Sequence, residues 1–413
     1  MQRLQTLLKQ RKERGMVIAS TQKIKHNKGV WLVPSATNPS KKYEVSFSLE
    51  GGRCTCEDYK ERGIRCKHLF AVDIVITKKF NKDGTTTVTQ TKRITYPQNW
   101  PAYDKASIQQ KELFQKLLHD ICASIQEPTY TFGRPSYPLR DMVFSSTLKV
   151  YSTFSLRRFS TDMKEAQAKG YVEKTPYYST VARFMESEEL TQIIKDLILT
   201  TALPLKAVES RFGIDATGFS PCRFSRWFVH KYGKDADMRM KWFKLSVVNG
   251  SATHIVTSCE VTSALVSDMM MLPSLTHETN ENFNMKELSA DKGYLSDANL
   301  MHLDRLGVQA YIPFKTNNKA DSKTQSQIWN NAYNYFTFNQ VQFLQHYHER
   351  SNTETVMHMV KSKFGDFLRS KSETACINEI LLKVLCHNIC VVIQEMFELG
   401  IKPEFWGAKM AVA

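Results

Sequence analysis

At 413 residues, with 42% hydrophobic and 23% charged side chains, the chain is long enough for two or three packed domains and too apolar for a disordered polymer. Its net charge of +15 is unevenly placed: residues 1–100 hold 20 Lys and Arg against 8 Asp and Glu, which favours a polyanionic partner, most simply nucleic acid. The opening "MQRLQTLLKQRKERG" lacks the apolar run of a secretory signal. Nine cysteines without such a signal point to a reducing, cytoplasmic setting, where clustered thiols bind metal more often than they pair.

Residues 1–100 read as a small, basic, β-rich domain. "KGVWLVPSA" and "KKYEVSFSLEGG" alternate as strands that end in a glycine turn. "CTCEDYKERGIRCKHLFAV" sets Cys54 and Cys56 one residue apart and, nine residues on, Cys66 and His68 one residue apart. Three thiolates and one imidazole make a closed tetrahedral set for Zn²⁺, the donor count of a structural site with no open position. The Thr-rich stretch "NKDGTTTVTQTKRITYPQNWP" (81–101) is expected to close the domain and lead into a linker.

Residues 101–204 read as a helical DNA-binding region: "KASIQQKELFQKLLHDICASI", a Pro-rich break, then amphipathic segments. "SLRRFSTDMKEAQAKGYVEKTPYYSTVARFMESEEL" gives helix, glycine turn, helix. Two interpretations fit it: a helix-turn-helix entering a DNA groove, or two core helices joined by a loop. From 205 to 400 the pattern is α/β. "SRFGIDATGFS", "WFKLSVVNG" and "THIVTSCEVTS" read as consecutive strands, the last two a hairpin around Asn249-Gly250. "MKELSADKGYLSDANLMHLDRLGVQAYIPF" then gives strand, helix, strand, and mostly helix follows, with 401–413 a tail. The most apolar run, "EILLKVLCHNICVVIQEMF", is interrupted by Lys383, His387 and Asn388. A membrane span wants about 20 largely uncharged residues, so this reads as a buried helix of a soluble protein with no membrane partner.

Asp215 is expected to end the strand "FGIDATGF", and Asp291 to follow the strand "KELSA". Either alone is explained by a cap, a turn or a salt bridge. Phosphodiester chemistry on two Mg²⁺ about 3.5–4 Å apart gains force only with a third acid. "YHERSNTETVMHMVKSKFG" (347–365) offers two. Taken as one helix turning about 100° per residue from Tyr347, it puts Arg350 at ~300°, Glu354 at ~340°, Lys361 at ~320° and Glu349 at ~200°. Glu354 thus shares a stripe with Tyr347, Arg350 and Lys361, and Glu349 reads as a surface charge on the other side. An i,i+4 pair of Arg350 with Glu354 leaves the presence of Tyr347 and Lys361 unexplained. A metal-binding carboxylate flanked by groups that grip phosphates accounts for all four.

These motifs resemble two known families. The spacing C-x-C-x9-C-x-H, followed by "LFAV", resembles the SWIM zinc finger, which implies binding of DNA or protein rather than catalysis. "IDATGF", "ADKGY" and the spacing Y-(2)-R-(3)-E-(6)-K through Tyr347, Arg350, Glu354 and Lys361 resemble the DDE transposases of bacterial and archaeal insertion sequences. That resemblance implies an α/β fold, an RNase H-like mixed sheet flanked by helices. It implies Asp215, Asp291 and Glu354 as ligands of Mg²⁺ (or Mn²⁺), and Tyr347, Arg350 and Lys361 as contacts to double-stranded DNA at transposon ends. The chemistry implied is hydrolytic nicking of those ends and attack of the freed 3′-OH on target DNA. Two ends must be synapsed, which implies a homodimer in the DNA complex. Some relatives with this signature pass through a hairpin, with a flipped base stacked on an aromatic residue; Trp329 is the candidate for that part, and core packing its plain alternative. The 63 residues from Asp291 to Glu354 are too few for the β-rich insertion of those relatives. Two other readings stay open: an RNase H-like nuclease that cuts without joining, and a non-catalytic DNA-binding protein derived from a transposase.

Overall fold

The computed structural model describes residues 11–405 apart from 20–21, 23, 28–29, 36–37, 39–40, 49–50, 81–85, 93–98, 130–131, 133–135, 222–241 and 321–324. The chain divides into two compact units, Met1–Pro101 and Ala102–Ala413.

In the first unit, strands β1 (Lys25–Asn27), β2 (Val30–Pro34), β3 (Lys42–Ser48) and β4 (Gly51–Cys54) form an antiparallel sheet in that order. Val33 and Val45 are fully buried from the sheet, and Ile18, Leu69, Ala71 and Val72 meet them from two helices, 11–19 and Lys67–Asp73. Those helices touch at Gly15, where a Cβ would stand 2.7 Å from Cβ of Phe70. The stretch expected to close the domain does so in part as a strand: β6 (Thr86–Lys92) pairs antiparallel with β5 (Ile74–Phe80), and the unit ends at Pro101. Alternating Thr suits a strand as well as polarity suits a loop, and the β-branched preference prevailed. The remainder of that stretch, 81–85 and 93–98, lies outside the described residues, as do 1–10 and 406–413.

The second unit is built around a five-stranded mixed sheet. Its order is β11 (Gln309–Tyr311), β10 (Glu287–Ala290), β7 (Arg211–Phe219), β8 (Phe243–Gly250) and β9 (Val256–Ser263). The β11–β10–β7 pairs are parallel and the β7–β8–β9 pairs antiparallel, and helices cover the sheet, so this is the mixed α/β architecture expected. Every β8 residue after Lys244 is buried, without alternation, the pattern of a strand covered on both faces. Asn249 and Gly250 are not the hairpin turn. They end β8, and the loop follows at 251–255. Buried Glu209 sits where a Gly250 Cβ would be and accepts the N–H and hydroxyl of Thr253, which secures that loop.

Residues 101–204, read separately from the sheet region, share one hydrophobic core with it. Within them, helices Leu156–Ala168 and Tyr178–Phe184 are joined by 169–177, longer than the three or four residues of a helix-turn-helix. Phe159, Met163, Ala166 and Val181 are buried, as in the core-helix interpretation. The apolar run becomes helix Glu373–Glu398, long and apolar enough by composition to cross a membrane, yet its most apolar window is 94% buried inside the molecule. The polar residues that interrupt it each find partners there, although His387 Nδ1 has none among the described residues. Lys383 donates to the carbonyls of Gly365 and Phe367, His387 Nε2 to that of His254, and Asn388 bonds both the N–H and the carbonyl of Val256 on β9.

Helix Ser351–Phe364 reaches the sheet at a close point on β7. A Cβ on Gly213 would lie 2.2 Å from Oγ1 of Thr353, which is fully buried, and 3.6 Å from its Cβ. Glycine is therefore the residue that lets this helix lie onto the central strand. Gly213→Ala is expected to cost about 1–3 kcal/mol of stability, read from a denaturant midpoint. The double variant Gly213→Ala, Thr353→Ala should regain most of that, because only the hydroxyl clashes; a double variant as unstable as the single would show the close approach to be unimportant.

Candidate functional site

Two clusters of chemistry-bearing side chains stand out, one in each unit. In the first, β4 delivers Cys54, the residue before helix Glu57–Arg62 is Cys56, and the residue before helix Lys67–Asp73 is Cys66, with His68 in that helix's first turn. Gly63, at φ 62°, ends the shorter helix and turns one half of the set toward the other. All four residues are buried, and their ligand atoms lie within 4.8 Å of one another. His68 Nδ1 stands 3.8 Å from Cys54 Sγ and 4.0 Å from Cys66 Sγ. A tetrahedral Zn²⁺ with ordinary bond lengths separates such atoms by roughly 3.6 Å, so the set fits zinc with Nδ1 inward. Cys66 is drawn down to about 4, first by the contact with Cys54, whose own thiol is pushed up by the same contact and by burial. One thiol of the pair is thus already disposed to be a thiolate.

The second cluster lies on the sheet. Asp215 was expected at the end of its strand but sits in the middle of β7, half-buried. Ala290 of β10 pairs with Ile214 of β7, so Asp291, the next residue, comes level with Asp215 across two parallel strands. The side chain of Asp291 caps the short 3₁₀ turn Lys292–Tyr294, accepting the N–H of Lys292 at 2.7 Å. The segment read as one helix from Tyr347 is broken: helix Gln340–Tyr347 ends, a 3₁₀ turn spans His348–Arg350, and helix Ser351–Phe364 begins. The tighter turn invalidates the angular position of Tyr347, because 3₁₀ geometry advances about 120° per residue. Tyr347 belongs to the preceding helix, with its ring stacked on Phe343.

Arg350, Glu354 and Lys361 nonetheless converge on β7. The Arg350 guanidinium forks, one nitrogen 3.0 Å from Asp215 Oδ2 and the other on the carboxylate of Glu354. Burial opposes the charge of Arg350, but Asp215, Glu354 and Tyr347 together outweigh it. Lys361 donates to Thr217 Oγ1 at 2.6 Å and lies over the Phe219 ring at 5.2 Å. Glu349 is not the free surface charge expected. Its side chain is only 16% exposed and pairs with Arg211 at the start of β7, away from Glu354. Trp329 is a core residue, buried edge-on against Phe314 with its indole N–H donated to the carbonyl of Lys319.

Burial pushes the carboxyl of Asp215 up, and the charges of Glu354 and Asp291 add to the shift, against the Ala216 N–H and Arg350. A carboxylate repelled by two others, all with hard oxygen donors, suits a divalent cation. With Arg350 spanning two of them, they are less tightly gathered than the thiols: among the described residues, the Cys/His set is the one group of three or more ligands within 4.8 Å. Tyr294 is a member of the site that the sequence pattern did not single out. It is 1% exposed, feels Asp268, Asp215 and Asp291, and its buried hydroxyl has no partner among the described residues. Its place in "ADKGY" was the available signal, but nothing local shows that the ring turns inward.

Residues 206–389 match the transposase DDE domain, and residues 42–72 match the SWIM zinc finger. No solved structure matches the chain.

Cys66→Ser is expected to lower bound zinc from about one ion per chain to a small fraction, and to open residues 42–73 to limited proteolysis while 102–389 stays protected. Metal-free protein that keeps that region protected would contradict a zinc role in folding.

Proposed function

The chain carries a DDE transposase domain and a SWIM zinc finger, and we propose that it is an insertion-sequence transposase which cuts transposon ends and joins the freed 3′-OH to target DNA. The observation that carries this reading is the fork of Arg350, which ties Asp215 on the central strand to Glu354 on a helix, with Asp291 level beside Asp215. This supports a reading in which three acids from three separate elements share one site with a phosphate-gripping cation.

Asp215, Asp291 and Glu354 would hold Mg²⁺ or Mn²⁺. When bound, such ions polarise a phosphodiester and activate the attacking hydroxyl. The fork of Arg350 matches a phosphate as well as it matches two carboxylates, so DNA entering the site competes for it and leaves the acids free for cations. Lys361, lowered by desolvation, is held by Thr217 and offers a point charge to the strand backbone. Tyr347, beside Arg350, supplies a hydroxyl contact of the same kind. The basic first 100 residues add sequence-independent affinity that weakens steeply with salt. Two copies of the chain are needed to hold two ends.

Glu354→Gln should bind duplex DNA like the parent but lose end cleavage in Mg²⁺ by roughly a thousandfold, the equivalent of several kcal/mol of charge stabilisation. Glu349→Gln, whose partner is Arg211, should cut normally. Incubation with terminal DNA, Mg²⁺ and a target plasmid reads the joining step. Full cleavage by Glu354→Gln would refute the site, and cut ends without joined products would reduce the protein to a nuclease.

A further inference from the structure

A cavity of about 670 Å³ opens in the second unit, lined by none of the carboxylate-site residues. Its walls include Lys149 of helix Leu139–Ser152, Arg157, Tyr178, and Arg369, Ser370 and Lys371 ahead of helix Glu373–Glu398. Four cations face one lining carboxylate, that of Glu186. Arg157, Arg369 and Lys371 are exposed, with Arg157 held over the Tyr178 ring at 5.3 Å.

Lys149 is the unusual member. It is only 6% exposed, and among the described residues no carboxylate, carbonyl or hydroxyl partners its ammonium. Burial lowers its pKa; Glu379 opposes that effect and Arg369 reinforces it. Glu379 is already committed, accepting the N–H groups of Arg369 and Ser370 and lying 3.9 Å from Lys383. A desolvated ammonium without a partner is costly, and a ligand anion removes the cost. The N-terminus of the 26-residue helix also points positive at this place, and its N-cap Ser372 makes no capping bond.

The volume exceeds a lone inorganic anion and falls in the range of sites for larger ligands. The fold suggests which ligand. Strand β7 runs from Asp215 past Thr217 and Phe219, which hold Lys361, to Ser220, which bridges to Phe367, two residues before Arg369. Five residues of strand cover about 17 Å, so a DNA strand engaged at the carboxylates reaches this cavity within a few nucleotides. We propose that the cavity is a second phosphate-binding site, which holds the sugar–phosphate backbone of DNA beyond the carboxylate centre; this rests on the transposase reading above.

The test is the salt dependence of binding to a short fluorescein-labelled duplex of arbitrary sequence, followed by anisotropy with the full-length protein. The variant Arg157→Ala, Arg369→Ala, Lys371→Ala should reduce the slope of log K against log[salt] by about 2–3, since each phosphate no longer neutralised removes about 0.9. The charge-retaining Arg157→Lys, Arg369→Lys, Lys371→Arg should keep the parent slope, and Lys371→Ala alone should lower it by about 1, which serves if the triple variant is unstable. A parent-like slope in the alanine variants overturns this inference and leaves the transposase reading standing. Failure of the parent to bind duplex at all overturns both. Stabilisation of the parent by free dATP or inorganic phosphate, absent in an alanine variant with parent-like slope, would give the cavity to a small phosphorylated molecule and refute the DNA assignment.

Discussion

The close approach of one helix to one strand governs the geometry of the second unit's polar site. Gly213 has no side chain, so the hydroxyl of Thr353 occupies the space where a Cβ would be. The residue after Thr353 is Glu354, and three residues before Thr353 is Arg350. Contact at this point therefore brings both onto the central strand, two residues along from Gly213, where Asp215 stands. The i,i+4 spacing of Arg350 and Glu354 keeps them on one face of the helix end. Without that approach, the acids would belong to separate surfaces.

Charge along β7 is then managed by desolvated cations. Arg350 offsets two carboxylates, Lys361 is gripped by Thr217, and Lys383, 1% exposed, is lowered to about 8 by burial despite Glu379 beside it. Lys361 and Lys383 stand over the same Phe219 ring at 5.2 and 5.3 Å. Attraction of a cation to a ring face recovers part of what dehydration costs. The ladder places positive charge in a low dielectric, where charges interact more strongly than in water.

The first unit solves a different problem. A sheet of four short strands with three short helices buries few apolar side chains, and a core of that size is marginal without a crosslink. Cys54, Cys56, Cys66 and His68 are all buried with that core, so metal ligation there doubles as packing.

Much of both sites was legible because it is local. Paired ligand spacing within fifteen residues identifies the zinc set, and the i,i+4 spacing of Arg350 and Glu354 announces their pairing, since those patterns depend only on neighbours along the chain. Local patterns mislead where longer-range contacts compete with local preference. Thr86–Lys92 had a strand partner in Ile74–Phe80, Asn249-Gly250 yielded its turn to a loop secured by Glu209, and Glu349 was drawn inward by Arg211. The break after Tyr347 has no Gly or Pro to announce it. By itself, then, the sequence determined the Cys/His ligand set and the i,i+4 spacing of Arg350 and Glu354. The tertiary structure alone decided that Asp215 and Asp291 stand level, that Arg350 links two acids, and that Lys149 is buried without a partner among the described residues. Each of those facts depends on strand register and helix docking between segments far apart in the chain, and no local pattern encodes that.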